Sequence, residues 1–283
     1  MKELIKIFGK ENVSDSLEDI LCYSVDASEL EGHVDAVVWA KNAKQISDLM
    51  KLANEKNISV IPRGAGTNLS GGAIPLGGIV LDLSKMNSII EFSEDYVVCE
   101  PGLVLEDLEY FLNKKGKTFP VMPASDKACS VGGCIAEDSV GMRAIKYGSI
   151  RDWIRELEVV LPDGKILNTK EKIFCGSEGT LGIITKAKLG IIKVPDIRTL
   201  SLYEFDNYNE LQKKVIELSK TDVSAIEFVS ERTNNIIDNP IGNKNVLLVE
   251  FENEKGDIKD KDEVKKISEH RKSISTQLAM KNY

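Results

Sequence analysis

The sequence is short of histidine, of basic charge and of long apolar runs. His33 and His270 are the only histidines among 283 residues, too few for a histidine-rich metal centre. The formal net charge of −8 argues against nucleic-acid binding, because affinity for the phosphate backbone comes from clustered Lys and Arg. No apolar run approaches the ~20 residues that a membrane helix needs, and no early segment resembles a signal peptide. We therefore expect a cytoplasmic protein with no resident metal.

Cysteine is sparse and carries no paired motif. Its positions form an odd set without any CxxC, namely Cys22, Cys99, Cys129, Cys134 and Cys175. Most of them stand in apolar or glycine-rich surroundings, as buried free thiols do. We predict buried free thiols in preference to disulfides or a metal site.

The most informative stretch is residues 62–72, which read PRGAGTNLSGG and follow an apolar run at 58–61 that predicts a short buried strand. Glycines take φ > 0 without steric cost, and successive amides in such a turn form a nest for anions. Arg63 and neighbouring polar side chains add donors, so the pattern favours a phosphate-binding loop. It matches neither the Rossmann nor the Walker pattern, and a glycine-rich surface loop is the competing interpretation.

Alternating strand and helix patterns run from residue 36 to residue 194. Apolar residues at helical spacing after Asn42, a good N-cap, predict a helix between strands at 36–40 and 58–61. Gly116 suits a helix end, and the Pro-Asp-Gly sequence at 162–164 suits a hairpin turn. Further elements are predicted at 78–83, 96–100, 105–114, 154–161, 165–169 and 183–194.

The pattern changes after Pro195. Strands at 199–205, 223–229 and 245–252 with a helix at 208–219 give an α+β pattern that suits one sheet. The strand at 245–252 is expected at or near a sheet edge. Residues 252–272 carry dense charge of both signs, which indicates a solvated helix or a frayed tail.

Three motifs stand in order along the chain: the loop at 62–72, CSVGG at 129–133, and GSEGTLGIIT at 176–185. Together they resemble the FAD domain of the vanillyl-alcohol oxidase superfamily, and most closely its D-lactate dehydrogenase and glycolate oxidase branch. The resemblance is close from 35 to 194 and loose elsewhere. It implies an α+β fold with a two-lobed PCMH-type FAD-binding domain at 1–195, whose lobes lie at 35–100 and 101–195 after small N-terminal helices. A partial cap domain, similar to the FAD-linked oxidase C-terminal domain, is implied at 196–283.

The resemblance also implies which residues bind FAD. The first loop would hold the pyrophosphate, a second glycine-bearing loop predicted at 123–133 would follow the ribityl chain and flavin, and 178–184 would pack near the adenine. Backbone amides of Gly132 and Gly133 would suit flavin carbonyls. The implied cofactor-binding residues are Pro62, Arg63, Gly64, Ala65, Gly66, Thr67, Asn68, Leu69, Pro123, Ser130, Val131, Gly132, Gly133, Ala136, Glu137, Gly141, Tyr147, Glu178, Gly179, Gly182, Ile183 and Ile184.

Three positions depart from the family pattern. Thr67 stands where some relatives carry the histidine that links flavin covalently, so the resemblance implies noncovalent FAD. Asp138 and Val140 replace the asparagine and glycine that are usual in this branch, and both are expected near the flavin.

No residue is assigned a catalytic role. Glu137 and Asp138 are interpreted as neighbours on a strand, which would point them to opposite faces and prevent a shared proton. Arg143, Lys146 and Tyr147 fit either a contact with flavin or substrate or an ordinary polar surface.

The implied function is oxidation of a small 2-hydroxy acid, of the D-lactate or glycolate type, by hydride transfer to FAD. Full-length relatives have a complete cap with a histidine-rich metal motif and an arginine that bind the substrate, and residues 268–273 only weakly resemble its beginning. We therefore expect a second polypeptide that completes the substrate site, or a homo-oligomer. The alternatives are a flavin-carrying or assembly module without turnover, and a reductase of the UDP-N-acetylenolpyruvoylglucosamine type.

Overall fold

The structure is a computed structural model, and it describes residues 1–236 and 244–253. The chain divides into two compact units, one made of Met1–Ser139 with Ser149–Ile192, the other of Val140–Gly148 with the described residues from Lys193 on. The mixture of helices and sheets confirms the predicted α+β class. Most of the charged stretch predicted at 252–272, and all of 268–273, lie outside the described residues. Within them, no helix combines the length and apolarity needed to cross a membrane.

The first unit begins with three helices and a four-stranded sheet. Its elements are α1 (Lys2–Phe8), β1 (Val13–Ser14), α2 (Leu17–Tyr23), β2 (Ala36–Trp39), α3 (Ala43–Lys56), β3 (Val60–Arg63) and β4 (Ile79–Asp82), with a 3-10 turn at Lys10–Asn12. The strand order is β1-β2-β4-β3, in which β2, β4 and β3 run parallel and β1 is antiparallel to β2. All four residues of β4 are buried, as expected of a central parallel strand.

Helix α3 forms where the sequence predicts it. The Asn42 side chain accepts a hydrogen bond from the Gln45 amide at 3.0 Å and so caps the first turn. Ile46, Leu49 and Ala53 lie on its buried face, and the first two belong to the core between helix and sheet. The predicted N-cap and the predicted apolar stripe are confirmed.

The rest of the first unit is built on a five-stranded antiparallel sheet. The elements that follow in the chain are β5 (Ile89–Phe92), β6 (Tyr96–Cys99), α4 (Leu105–Asn113), β7 (Lys117–Thr118), α5 (Val131–Glu137), α6 (Ala144–Tyr147, in the second unit), α7 (Ile150–Trp153), β8 (Ile154–Val160), β9 (Ile166–Thr169), a 3-10 turn (Lys172–Phe174), β10 (Ile183–Gly190) and β11 (Ile192–Lys193). The sheet order is β5-β6-β10-β8-β9. Strands β8 and β9 form the predicted hairpin, and Leu105, Leu108 and Leu112 of α4 are fully buried in the core.

Helix α5 overturns a local prediction, because a glycine-bearing loop and a strand were expected there. Two glycines in its first turn lower the helix propensity, and for this reason the sequence resembles a loop. Tertiary packing overrides that propensity. A Cβ on Gly132 would lie 2.5 Å from Cβ of Pro101, so glycine lets the helix approach its neighbour this closely.

The end of α5 corrects the interpretation of its two acidic residues. Glu137 is the last helical residue, and Asp138 follows it as a left-handed C-cap with φ of 52°. They are therefore not neighbours on a strand, and the argument from strand geometry does not apply to them. Asp and Asn tolerate this backbone conformation better than most side chains do.

The second unit contains a three-stranded antiparallel sheet. Its remaining elements are β12 (Ile197–Phe205), α8 (Tyr208–Leu218), β13 (Val223–Val229), α9 (Glu231–Asn234) and β14 (Asn245–Asn253), and the strand order is β12-β14-β13. Strand β14 is therefore central among the described residues, and the prediction that it lies at an edge is wrong. Val246, Leu247 and Val249 are fully buried because β14 has a partner on each side.

Charged side chains tie α6 and its flanks to β14. Arg143 Nε donates to Glu250 Oε1 at 2.7 Å, and the Tyr147 hydroxyl donates to Glu252. Arg198 Nε donates to the other oxygen of Glu252 at 2.9 Å. The Glu252 side chain is only 2 % exposed, and a buried carboxylate is tolerated when its oxygens have such partners. Arg143 and Tyr147 thus have their partners inside the second unit.

Adjacent glycines before β4 give a test of the packing. Gly77 and Gly78 have φ of 105° and 89°. A Cβ on Gly78 would lie 2.3 Å from the Ser59 carbonyl oxygen, whereas one on Gly77 would have nothing within 4 Å. Both alanine variants strain the backbone, but only Gly78→Ala adds a backbone collision.

We expect Gly78→Ala to lose about 1–3 kcal/mol more free energy of unfolding than Gly77→Ala. Equilibrium urea unfolding followed by circular dichroism measures the difference. Equal losses in the two variants would show that the collision is relieved by a shift of the strand.

Candidate functional site

A cavity of about 340 Å³ lies in the first unit and collects all three motifs. The loop after β3 forms one side, the N-terminal half of α5 forms the second, and the turn before β10 forms the third. The end of β3 and the start of β10 therefore position two of the walls, and the N-cap region of α5 positions the third. The predicted motifs, separated by more than a hundred residues, meet at one place.

The loop after β3 presents a row of free backbone amides. Within the described residues, no amide from Gly64 to Leu69 donates a hydrogen bond to another protein atom. Gly66 has φ of 67°, which turns the chain so that successive N–H groups can face one concavity. The following amides of Ser70 and Gly72 are already satisfied by the Asn68 side-chain oxygen. The free amides thus form an anion cradle, by which we mean the backbone of residues 64–69.

Arg63 places a fixed positive charge against the anion cradle. Its Nη1 donates to the Val25 carbonyl at 2.7 Å, and its guanidinium carbon lies 5.2 Å from the centre of the Tyr23 ring. A Cβ on Gly66 would lie 2.4 Å from Nη2 of Arg63, so the guanidinium sits directly against the loop. Among the described residues no carboxylate forms an ion pair with Arg63, and its charge remains available to an anion.

Hydrogen bonds to Asp82 and Trp39 hold the Tyr23 ring against this arginine. The Tyr23 hydroxyl donates to Asp82 Oδ2 at 2.6 Å and accepts from Trp39 Nε1 at 3.1 Å. Burial and the neighbouring Asp82 carboxylate raise the pKa of Tyr23 well above its ordinary value, so the phenol stays neutral. A neutral ring held in this way keeps its face under the Arg63 guanidinium.

Two glycines, which have no side chain, allow the three walls of the cavity to meet. A Cβ on Gly64 would lie 2.2 Å from the Ser130 hydroxyl oxygen, and a Cβ on Gly179 would lie 2.7 Å from Cγ of Pro62. The loop after β3 is thereby pressed against the cap of α5 on one side and against the third motif on the other. These glycines serve close packing of protein on protein.

The amides of Gly132 and Gly133 face partners within the protein, where contacts with flavin carbonyls were expected. The Gly132 amide donates to the Pro101 carbonyl at 2.7 Å, and the Gly133 amide donates to the Ser130 hydroxyl at 3.3 Å. Both amides therefore have acceptors inside the protein and are not available for a flavin carbonyl. Their position at the start of a helix, which the sequence did not show, explains the difference.

Most of the predicted cofactor-binding residues line the cavity. Val131 is fully buried in the core, Gly141 and Tyr147 belong to the second unit, and Pro123 is not part of the lining. The predicted residues that line it are Pro62, Arg63, Gly64, Ala65, Gly66, Thr67, Asn68, Leu69, Ser130, Gly132, Gly133, Ala136, Glu137, Glu178, Gly179, Gly182, Ile183 and Ile184.

Several lining residues were missed by the sequence analysis. They are Ser70, Gly72, Ala73, Leu83, Ser125, Cys129, Cys134, Ser139 and Phe174. Ser70, Gly72 and Cys129 stand within the quoted motifs, and their spacing could have identified them. The sequence around Leu83 and Phe174 gave no indication that they line a cavity, because an isolated apolar residue next to a strand or turn is typical of any core.

Asp138 holds the end of α5 next to the cavity without lining it. Its carboxylate accepts hydrogen bonds from the Ser149 hydroxyl and Arg151 Nε, both at 2.7 Å, and from the Cys175 thiol at 3.4 Å. Burial acts to raise the pKa of Asp138, but these hydrogen bonds outweigh it and lower the pKa below the ordinary value. Asp138 thus lies beside the cavity, between the lining residues Glu137 and Ser139, whereas Val140 is an exposed residue of the second unit.

Comparison with known proteins names the cofactor of this site. Residues 34–170 match the family model described as FAD binding domain. This segment resembles the FAD-binding domain of that family. The anion cradle, Arg63 and the motif at 129–133 all lie within the matched segment, and FAD is its cofactor.

The names of the relatives describe enzymes that act on hydroxy acids. The chain is 34 % identical over 273 residues to the glycolate oxidase subunit GlcD of Bacillus subtilis, covering 88 % of this chain and 58 % of the relative. It is 36 % identical over 211 residues to a D-lactate dehydrogenase of Archaeoglobus fulgidus, covering 69 % of this chain and 47 % of the relative. The chain thus spans about half the length of the curated relatives it matches.

A solved structure supports the fold. An alkyldihydroxyacetonephosphate synthase matches with a TM-score of 0.82 at 22 % identity, covering 95 % of this chain and 62 % of that chain. At this identity the likeness extends to the fold alone. The predicted resemblance to the PCMH-type FAD-binding fold is confirmed.

The residues of the cavity fit the cofactor. FAD carries a pyrophosphate, which requires several N–H donors and positive charge, and the anion cradle with Arg63 offers both. Ile183 and Ile184 give the same cavity an apolar side that suits a ring system.

The Asp138 contacts predict a pH-dependent loss of stability. Because the pKa of Asp138 is lowered in the folded state, its contribution is present above the unfolded-state pKa and is lost as pH falls through the folded-state pKa. We expect Asp138→Asn to cost about 1–2 kcal/mol at pH 7 and progressively less at acidic pH.

Asp95→Asn is the matched control. Asp95 also bonds to an arginine, Arg155, at 2.7 Å, but its side chain is 64 % exposed. Exposed pairs contribute about 0–1 kcal/mol, so this variant should stay close to the parent. Urea unfolding at several pH values measures both, and a pH-independent loss in Asp138→Asn would contradict the assignment.

Proposed function

We propose that this chain is the FAD-binding part of a flavin-dependent oxidoreductase that oxidises a small 2-hydroxy acid of the D-lactate or glycolate type. The observation that carries the proposal is the meeting of the three motifs around a cradle of free amides, in a chain whose relatives are named glycolate oxidase subunit and D-lactate dehydrogenase. FAD, when bound, would accept the hydride from the carbinol carbon of the acid.

The chain's own residues would bind and orient the cofactor. The anion cradle and Arg63 would hold the pyrophosphate, and Glu178, Gly179 and the start of β10 would close the opposite wall. Thr67 lines the cavity and offers no imidazole to attach the flavin, which supports noncovalent binding. Leu83 and Phe174, both nearly buried, would exclude water from the apolar part.

The substrate site would need groups from elsewhere. Among the described residues, no group of three or more His, Cys, Asp or Glu side chains is placed so that it could hold a metal ion. His33, the histidine that the structure describes, is an exposed residue beside Asp35. We infer that a second polypeptide supplies the metal ligands and an arginine for the substrate carboxylate, which the subunit name of the Bacillus subtilis relative supports.

A flavin-carrying module without turnover is the second candidate. It needs only the cofactor site that the chain's own residues form. The two candidates differ in whether the isolated chain reduces an acceptor.

Gly66→Ala should weaken cofactor binding. An added Cβ would displace the Arg63 guanidinium and strain the backbone at φ of 67°. We expect purified parent protein to be yellow and to release all its FAD on heating, and Gly66→Ala to bind FAD at least about tenfold more weakly, which is 1.4 kcal/mol.

Gly9→Ala controls for backbone strain. Gly9 has φ of 83° and faces the flexible Glu11 carboxylate, outside the cavity. The Gly9→Ala variant should lose a similar amount of stability to Gly66→Ala but retain the FAD affinity of the parent protein. Flavin fluorescence titration measures the affinity. Flavin that stays with the precipitated polypeptide would contradict noncovalent binding, and equal affinity losses in both variants would contradict the role of the cradle.

Turnover gives the second test. FAD-loaded chain, alone and with the candidate partner chain, is mixed with D-lactate or glycolate and a dye acceptor, with L-lactate as the control acid. We expect dye reduction only when the partner is present. Reduction by the chain alone would remove the need for a partner, and no reduction in either case would favour the carrier module.

A further inference from the structure

The cap of α5 brings two cysteines together. Ser130 is the N-cap, so Cys129 stands immediately before it and Cys134 is the fourth residue of the helix. Side chains at these two positions pack on each other in the arrangement known as a hydrophobic staple. Here both members of the staple are thiols, and both belong to the same buried core cluster.

The two thiols share a location that the other cysteines lack. Cys129 and Cys134 are 4 % and 2 % exposed and both line the FAD cavity. Cys99 and Cys175 are buried outside this lining, and Cys22 is exposed elsewhere on the first unit. A small reagent that enters the cavity meets the pair and no other thiol.

The contact between the two thiols gives them different pKa values. The hydrogen bond from the Cys134 thiol lowers the pKa of Cys129 below the ordinary value and, together with burial, raises that of Cys134. Burial raises the pKa of both Cys99 and Cys175 to about 12, so these two remain protonated. Since the thiolate is the nucleophile, Cys129 is the reactive member.

We propose that Cys129 and Cys134 form a dithiol modification site in the wall of the FAD cavity, which a low-molecular-weight disulfide converts to an intramolecular disulfide and which bound FAD shields. The proposed dithiol site does not depend on which hydroxy acid the protein acts on. It rests on the staple, the cavity that both cysteines line and the FAD-binding domain.

The reaction is a two-step thiol–disulfide exchange. The Cys129 thiolate attacks one sulfur of the reagent RSSR, whose S–S bond breaks and releases RS⁻. Cys134 then loses its proton and attacks the Cys129 sulfur, which releases the second RS⁻. The two cysteines lose two electrons and two protons, and the reagent becomes two RSH.

The sequence provides a direct readout. Lys127 and Arg143 bound a tryptic peptide that contains both cysteines and no others, while Cys99 and Cys175 fall in separate peptides. The protein, as the Cys22→Ser variant, is incubated with 2-hydroxyethyl disulfide, with FAD bound and after its removal, then blocked with iodoacetamide and digested. In the FAD-free protein we expect this peptide to lose about 2 Da and to resist alkylation.

Bound FAD should slow formation of the bridge roughly tenfold or more, because exchange depends on access to the sulfur. Cys134→Ser should give a stable mixed disulfide at Cys129, and Cys129→Ser should not react. A peptide mass unchanged over hours, faster labelling of Cys99 or Cys175, or an equal rate with and without FAD would each overturn the proposal. Because the digest of the Cys22→Ser protein already identifies the bridge, the test does not depend on the folding of the Cys129 and Cys134 variants.

Discussion

The site depends on two contacts in which backbone meets its neighbour without an intervening Cβ. Gly64 lies against the Ser130 hydroxyl, and Gly179 lies against Pro62. With any larger residue, the loop after β3 would separate from the cap of α5 or from the turn before β10. The cavity exists because these three segments touch, so the glycines of the motifs act first as packing residues.

This packing leaves the loop's amides unpaired. Residues 64–69 are half-buried or exposed, so water can satisfy these N–H groups until a ligand binds, while the rest of the fold fixes the loop. The anion cradle is therefore held ready by contacts made elsewhere, and a bound pyrophosphate would satisfy donors that the protein leaves open. Arg63 adds a cation to a chain whose net charge is −8, so the attraction for an anion is local to this loop.

The sequence predicted those parts of the fold in which local signals agree with packing. Asn42 and the stripe of α3 are an example, because cap and periodicity both indicate a helix. It failed at α5, where Gly132 lowers helix propensity and close packing on Pro101 decides the outcome. It failed again at β14, since a central position depends on a strand order that no single segment encodes. For the cavity, the motifs predicted most lining residues, whereas the free amides and the Arg63 contacts required coordinates.

The path of the chain through the second unit also limits how this protein can be divided. The polypeptide crosses between the units after Ser139, after Gly148 and after Ile192. A fragment that stops at residue 192 would keep Arg143 and Tyr147 but lose their partners Glu250 and Glu252. The second unit is thus not formed by one continuous stretch of the sequence. Recombination between relatives that replaces it as a block would have to carry nine residues from the middle of the sequence as well.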